Sequence, residues 1–160
     1  MAVHFHEEDL PAGALAPGPV AVDTETMGLV TPRDRLCLVQ ISDGGGDEHL
    51  VRFAAGSAYD APNLKAVLAD PARLKLYHFA RFDLAAIEHY LGVMAAPVFC
   101  TKIASKLTRT YTDRHGLKQQ FEARLAREGR SELAAACFRF LPTRVRLDLA
   151  GWGEEDVFAH

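Results

Sequence analysis

The chain has 160 residues, of which 49% are hydrophobic, and a formal net charge of -3. This length and composition predict one domain with a substantial core. No apolar run approaches a membrane span, and the first ten residues are too polar and acidic for a signal peptide. Three cysteines without metal-site spacing favour a reducing environment, so we expect a cytoplasmic protein with no membrane partner.

The charge is unevenly distributed along the chain. Residues 1–100 carry 7 basic and 13 acidic side chains, whereas residues 101–150 carry 11 basic and 5 acidic ones. A basic half beside an acidic site would suit a bound polyanion. Solvated helix faces explain the same distribution, so both interpretations stay open.

The predicted elements begin after a lead-in, residues 1–19, whose Pro- and Gly-containing part is a loop. A strand then begins at Val20, because apolar and polar residues alternate with a period of two. Two further strands, 36–42 and 48–53, are joined by a Gly-rich hairpin turn. Pro62 opens a helix, and a short strand follows at 74–78.

The first strand ends in paired acids, Asp23 and Glu25, which the period of two places on one face. Two carboxylates about 4 Å apart repel by roughly 4 kcal/mol at an effective dielectric near 20. A divalent cation such as Mg²⁺ or Mn²⁺ removes that cost. Taken alone, the pair also describes a strand end with two solvated acids. Gly28 would let a ligand approach the backbone closely.

The second half is predicted to be mostly helical. A helix spans 80–91 with Gly92 as its cap, and a short strand covers 98–100. Thr101 caps the next helix, in which we expect Ile103 and Leu107 to face the core. Helices are further predicted at 121–127 and 132–141, and 145–149 is either helix or strand. The sum is an α/β sandwich.

Asp83 supplies the partner of the paired acids. It falls in the first turn of a helix, where the helix dipole favours a carboxylate, and alone it would be an ordinary first-turn acid. Together, D-x-E on the first strand and H-x-A-x-x-D from His78 to Asp83 resemble the DEDD 3′–5′ exonucleases, closest to the ribonuclease D-like branch. The resemblance covers about residues 20–118. It implies an α/β ribonuclease H-like fold, a mixed sheet flanked by helices.

The resemblance also implies roles for individual residues. Asp23 would bridge two Mg²⁺ or Mn²⁺ ions, Glu25 would bind one of them and help position the attacking water, and Asp83 would bind the other. The substrate would be the 3′ end of single-stranded RNA or DNA. Nucleic-acid-binding positions would include Met27 and Leu29, which match the family's wedge against the terminal nucleotide, together with His78, Phe82 and Lys102.

The chain departs from the family pattern in three places. Phe79 stands where many relatives have Asn, and Cys100 where many have Asp. More seriously, no Tyr or His followed by the fourth metal-binding Asp is found after Asp83, because Tyr111 and Asp113 have the wrong spacing and Asp148 lies too late. The sequence therefore predicts that a segment of the late catalytic helix is missing between residues 118 and 121.

Two explanations of this gap stay open. Either the segment is truly deleted, or the natural protein contains residues that the printed chain omits. The few residues from Lys118 to Phe121 are a short connection between two flanking helices, which favours the second explanation. We expect a single 3′–5′ exonuclease domain over residues 1–160. The alternative is a catalytically inactive nucleic-acid-binding domain that keeps the exonuclease fold. The sequence leaves the oligomeric state and the choice between RNA and DNA open.

Overall fold

The computed structural model describes residues 2–127, which fall into two compact units, residues 2–100 and residues 101–127. The helix predicted at 132–141 and the segment 145–149 lie outside the described residues. A single domain over residues 1–160 stays a prediction.

The first unit is built on a six-stranded mixed sheet with the order β1-β4-β3-β2-β5-β6. The hairpin strands β2, β3 and β4 pair antiparallel, as the sequence predicts, whereas the pairs β1–β4, β2–β5 and β5–β6 are parallel. The predicted mixed sheet is thus confirmed. The strands are β1 (Val3–Glu7), β2 (Val20–Thr26), β3 (Leu36–Ser42), β4 (Glu48–Arg52), β5 (Lys75–Tyr77) and β6 (Val98–Cys100).

Strand β1 corrects the prediction that residues 1–19 are only a lead-in. It pairs with β4 at the sheet edge, where His4 lies opposite His49. The His6 and His49 rings also join through a 2.9 Å hydrogen bond between Nε2 and Nδ1. Apolar Val3 and Phe5 alternate with His4 and His6 in this strand, but all of these residues are exposed except the half-buried His6.

Two helical segments cover one face of the sheet. Helix α1 spans Pro62–Ala69, and α2 spans Arg81–Ala86 and continues as a π-helical segment, Ile87–Leu91, that ends at Gly92 with φ 66°. The sequence predicts this helical stretch and its glycine cap, but not the π-helical turn. The core formed with the sheet includes Val20, Val22, Val39, Ile41, Val51, Leu64, Leu68, Ile87 and Leu91.

Lys75 lies inside this unit, although it is a charged residue at the start of β5. Its side chain is fully buried. The ammonium Nζ donates to the carbonyl oxygens of Asp70, at 2.5 Å, and Ala96, at 2.6 Å. Removal from water lowers the pKa of Lys75, since burial disfavours the charged form.

The second unit contains α3 (Thr101–Thr108) and α4 (Leu117–Arg127). The prediction that Ile103 and Leu107 face the core is wrong, because their side chains are 50% and 74% exposed. The buried residue of α3 is Ser105, which lies about 200° around the helix from each of them. Its hydroxyl contacts Nδ1 of His115 at 3.0 Å.

Helix α4 begins four residues before the predicted position 121 and runs without interruption through the junction at residues 118–121. The backbone N–H of Gln120 donates to the Gly116 carbonyl at 3.0 Å, so the junction is helical. Whether the natural protein carries further residues there stays a prediction. Within residues 2–127, no helix has the length and hydropathy that crossing a membrane requires.

Asp9 caps α1 from a distant part of the chain. Its Oδ2 accepts from the backbone N–H and the side-chain amide of Asn63, at 3.0 and 2.9 Å, and its Oδ1 accepts from the Leu64 N–H at 2.9 Å. The residue before the helix, Ala61, supplies no side-chain cap. Asp9 therefore satisfies donors that the first turn of a helix leaves unpaired.

We predict that Asp9→Ala lowers the free energy of unfolding by about 1–2 kcal/mol, the usual cost of losing a helix cap. Urea denaturation followed by circular dichroism measures this loss. Asp60→Ala is the matched control, because the exposed Asp60 side chain makes no hydrogen bond to α1 within the described residues. Equal stability of the two variants would contradict the capping role.

Candidate active site

The paired acids lie on the outer face of β2. Asp23 and Glu25 are exposed. Val22, which precedes Asp23, and Thr24, which lies between the two acids, are buried against the core. The predicted alternation is confirmed. The pairing of β2 with β3 shifts register between Glu25 and Thr26, so the regular strand ends directly after the second acid.

Asp83 is attached to the same strand by two hydrogen bonds. It lies in the first turn of α2, as predicted, and is buried. Its Oδ1 accepts from the backbone N–H of Thr24 at 3.0 Å and from the Thr24 hydroxyl at 2.8 Å. Strand β5 pairs with β2 only at Val20 and Ala21. The Asp83 carboxylate therefore takes up a backbone donor beyond the point where β5 stops pairing.

The three acids influence one another electrostatically. Burial, followed by the charges of Asp23 and Asp83, raises the pKa of Glu25 to about 7. Burial also raises the pKa of Asp83 to about 6, against the opposing effect of the Thr24 hydrogen bonds. The pKa of Asp23 is raised as well, mainly by burial. Although Asp23 and Glu25 keep exposed surface, the surrounding protein excludes enough water to disfavour their charged forms.

The donor chemistry of these acids suits a hard divalent cation, since carboxylate oxygens are the ligands that Mg²⁺ prefers. No salt bridge within residues 2–127 contains any of them, so no described basic side chain neutralises their charge. However, the described residues contain no group of three or more His, Cys, Asp or Glu side chains placed to hold one metal ion. The ligand types fit a metal, and the described arrangement is not a complete metal cage.

The turn that delivers Asp83 is strained at Phe79. This residue has φ 66°, in the left-handed region that non-glycine residues seldom adopt. Asn, the residue that the family resemblance implies at this position, tolerates the left-handed conformation better than Phe does. The strain lies between β5 and α2, four residues before Asp83.

The other predicted site residues lie on several different segments of the chain. Met27 is half-buried and Leu29 is 76% exposed in the loop after β2. His78 lies in the turn after β5, and Phe82 is half-buried in the first turn of α2. Lys102 lies in the second unit, on the first turn of α3. The roles of all five in binding nucleic acid stay predictions.

Sequence reasoning missed Thr24, the middle residue of the D-x-E motif. The period of two already placed it on the buried face, opposite the acids. A buried hydroxyl requires a hydrogen-bond partner, and that requirement was the available signal. Its partner, 59 residues later in the chain, could be found only from the fold.

The mixed sheet flanked by helices is a ribonuclease H-like α/β fold, with two acids at the end of one strand and a third in the first turn of α2. Residues 5–127 match the 3′-5′ exonuclease family, which is most of the chain. The chain therefore belongs to the 3′-5′ exonuclease family, in its DEDD, ribonuclease D-like branch. The predicted family and fold class are confirmed.

The relatives agree with this assignment. Ribonuclease D of Acidiphilium cryptum is 36% identical over 86 residues, 54% of this chain, and this chain spans about a fifth (21%) of that relative. Brucella melitensis NrnC with bound Mg²⁺ is 45% identical, with a TM-score of 0.73 and 100% of both chains covered. Escherichia coli RNase D is 27% identical, with a TM-score of 0.52 over 66% of this chain and 27% of that one.

We predict that Thr24→Val lowers the free energy of unfolding by about 1–2 kcal/mol at pH 8, because it removes a buried hydrogen bond to a charged carboxylate. Thr24→Ser keeps the hydroxyl and should recover most of the loss. Urea denaturation in the presence of a chelator measures both variants. Unchanged stability of Thr24→Val would show that the backbone N–H alone holds Asp83.

The raised pKa values predict how stability without metal depends on pH. A carboxyl group whose pKa is higher in the folded state stabilises the fold at low pH and loses that contribution as pH rises. For Glu25 the loss occurs between its ordinary value of 4.5 and about 7. Chelator-treated protein should therefore become less stable across this range, and Glu25→Gln should flatten the decline.

The measurement is the difference in unfolding free energy between wild type and Glu25→Gln from pH 4 to pH 8. As pH rises, the free energy of unfolding of Glu25→Gln should increase relative to that of the wild type. Mg²⁺ should stabilise the wild type more at pH 8 than at pH 5. A difference that does not change with pH would contradict the raised pKa.

Proposed function

We propose that this protein is a metal-dependent 3′–5′ exonuclease that hydrolyses the terminal phosphodiester bond of single-stranded RNA. The observation that carries the proposal is the placement of Asp23, Glu25 and Asp83 around the end of β2 without a neutralising basic side chain among the described residues. Support for RNA comes from Brucella melitensis NrnC, which is 45% identical and has been solved bound to pGG.

Mg²⁺ or Mn²⁺, two ions per site, is the proposed cofactor. When bound, the two ions supply positive charge that stabilises the attacking and the leaving oxygen of an in-line displacement. Asp23 would hold both ions, Glu25 would hold one and orient the attacking water, and Asp83 would hold the other. The Thr24 hydrogen bonds fix one oxygen of Asp83, which leaves its second oxygen for this task.

The remaining residues bind the substrate in this proposal. Leu29 and Met27 pack against the terminal nucleotide, and His78 and Phe82 lie beside it. Lys102 neutralises a phosphate, a contact that supports binding without reading sequence. The proposed substrate is RNA, and single-stranded DNA of the same sequence is the substrate against which its hydrolysis is compared.

We predict that Asp23→Asn and Asp83→Asn each reduce hydrolysis of a single-stranded RNA to below roughly one hundredth of the wild-type rate. Losses of this order follow removal of one group that stabilises charge in the transition state. Each variant keeps the size of the side chain and removes its charge. The assay follows the shortening of a 5′-labelled RNA from its 3′ end, with and without Mg²⁺ or Mn²⁺.

Glu88→Gln is the matched control, because it neutralises an exposed carboxylate on the same helical stretch and should leave the rate unchanged. Wild-type rates in Asp23→Asn or Asp83→Asn would overturn the assignment of these acids. A wild-type protein that binds RNA but never hydrolyses it, in either metal, would favour the inactive nucleic-acid-binding domain instead.

A further inference from the structure

The loop between β2 and β3, residues 27–35, is closed by its own backbone. At its base, the N–H of Met27 donates to the carbonyl of Arg35 at 3.0 Å. At its tip, the carbonyl of Val30 accepts from the N–H groups of Arg33, at 2.9 Å, and Asp34, at 2.8 Å. The loop therefore has a defined internal structure and is not a loose connection between strands.

The Asp34 carboxylate lies at the centre of this loop and is buried, with 8% of the residue exposed. Its Oδ2 accepts from the Val30 N–H at 2.8 Å. The Arg33 guanidinium spans both carboxylate oxygens, with Nε at 2.7 Å from Oδ1 and Nη2 at 2.9 Å from Oδ2. Asp34 therefore joins the tip of the loop to its return segment.

Gly28 provides the space that this carboxylate occupies. A Cβ atom added at Gly28 would lie 2.4 Å from Asp34 Oδ2 and 2.8 Å from Cγ, closer than real contacts allow. The Asp34 side chain is held on its other sides, so it cannot simply turn away. Only glycine at position 28 is compatible with the observed position of the Asp34 carboxylate.

Two further contacts brace the loop from outside. The Thr26 hydroxyl donates to the Gly28 carbonyl at 2.5 Å, and the Tyr90 hydroxyl donates to the Thr31 carbonyl at 2.6 Å. Leu29 is nevertheless 76% exposed. An apolar side chain that is exposed on a braced loop, four residues after Glu25, is presented to a binding partner at little cost in ordering.

We propose that Asp34, seated against Gly28, is a positioning residue that fixes the loop so that Leu29 and Met27 meet the terminal nucleotide of the RNA. The inference rests on the proposed function. Loss of the Asp34 carboxylate should weaken substrate binding, because a disordered loop must be ordered again each time substrate binds. The Michaelis constant should change while kcat stays nearly constant, as expected when binding is weakened equally in ground and transition state.

The test compares Asp34→Ala with Asp34→Asn in steady-state hydrolysis of a short single-stranded RNA at saturating Mg²⁺. Asp34→Ala should raise KM by about fivefold to tenfold, corresponding to the loss of one capping hydrogen bond, with kcat within about twofold of wild type. Asp34→Asn keeps an oxygen acceptor for the Val30 N–H and should recover most of the affinity. A merely structural role would lower the melting temperature without this split between KM and kcat.

A double-mutant cycle sharpens the test. Gly28→Ala alone should raise KM, because the new methyl group displaces the Asp34 carboxylate. The same change in the Asp34→Ala background should add little, since the clashing group is already gone. Gly45→Ala is the matched control: its Cβ would lie 2.9 Å from Asp43 Oδ1 in the turn at the opposite end of β3, and KM should stay unchanged.

An unchanged KM for Asp34→Ala, or additive effects of Gly28→Ala and Asp34→Ala, would overturn the inference. If the wild type hydrolyses no RNA, the proposed function fails separately, and Kd for the same labelled RNA by fluorescence anisotropy replaces KM throughout. If Asp34→Ala does not fold, the comparison of Gly28→Ala with Gly45→Ala and Asp34→Asn decides the question.

Discussion

The hydrogen bonds from Thr24 to the Asp83 carboxylate are the contact on which the arrangement of the site depends. They join the strand that carries two acids to the helix that carries the third, across 59 residues of sequence. They also occupy a backbone donor beyond the point where β5 stops pairing with β2. The buried carboxylate of Asp83 thus satisfies a backbone donor of the sheet. The same hydrogen bonds hold Asp83, the third acid, near Asp23 and Glu25.

This arrangement works against stability when no cation is bound. Burial raises the pKa values of all three acids, and the charges of neighbouring acids add to the rise for Glu25 and Asp83. The left-handed backbone at Phe79 adds strain in the turn leading to Asp83. Such costs persist where function requires them and the surrounding fold compensates. Here the compensation comes from the core below β2, where Val20 and Val22 are almost fully buried.

The placement of Asp23 and Glu25 on one strand face follows from the period of two, and Asp83 in a first helical turn follows from its position after a short strand. Neither argument reveals Thr24 as the link, because the length of the β2–β5 pairing is a tertiary property. Strand β1 escaped prediction because it is short and mostly exposed, and because its pairing with β4, far away in the sequence, is a tertiary property. The stripe of Ile103 and Leu107 marks a helix correctly but does not decide which face is buried.

The buried ammonium of Lys75 has a consequence for observing this protein in motion. Amine-directed acylating reagents need a neutral, accessible nitrogen, and this nitrogen is enclosed and donates to two backbone carbonyls. It can be labelled only when the part of the sheet formed by β5 and its neighbour β6 opens. Mass spectrometry can compare the labelling rate of Lys75 with that of surface lysines. The slower rate at Lys75 then measures how often β5, the strand that leads to Asp83, opens locally.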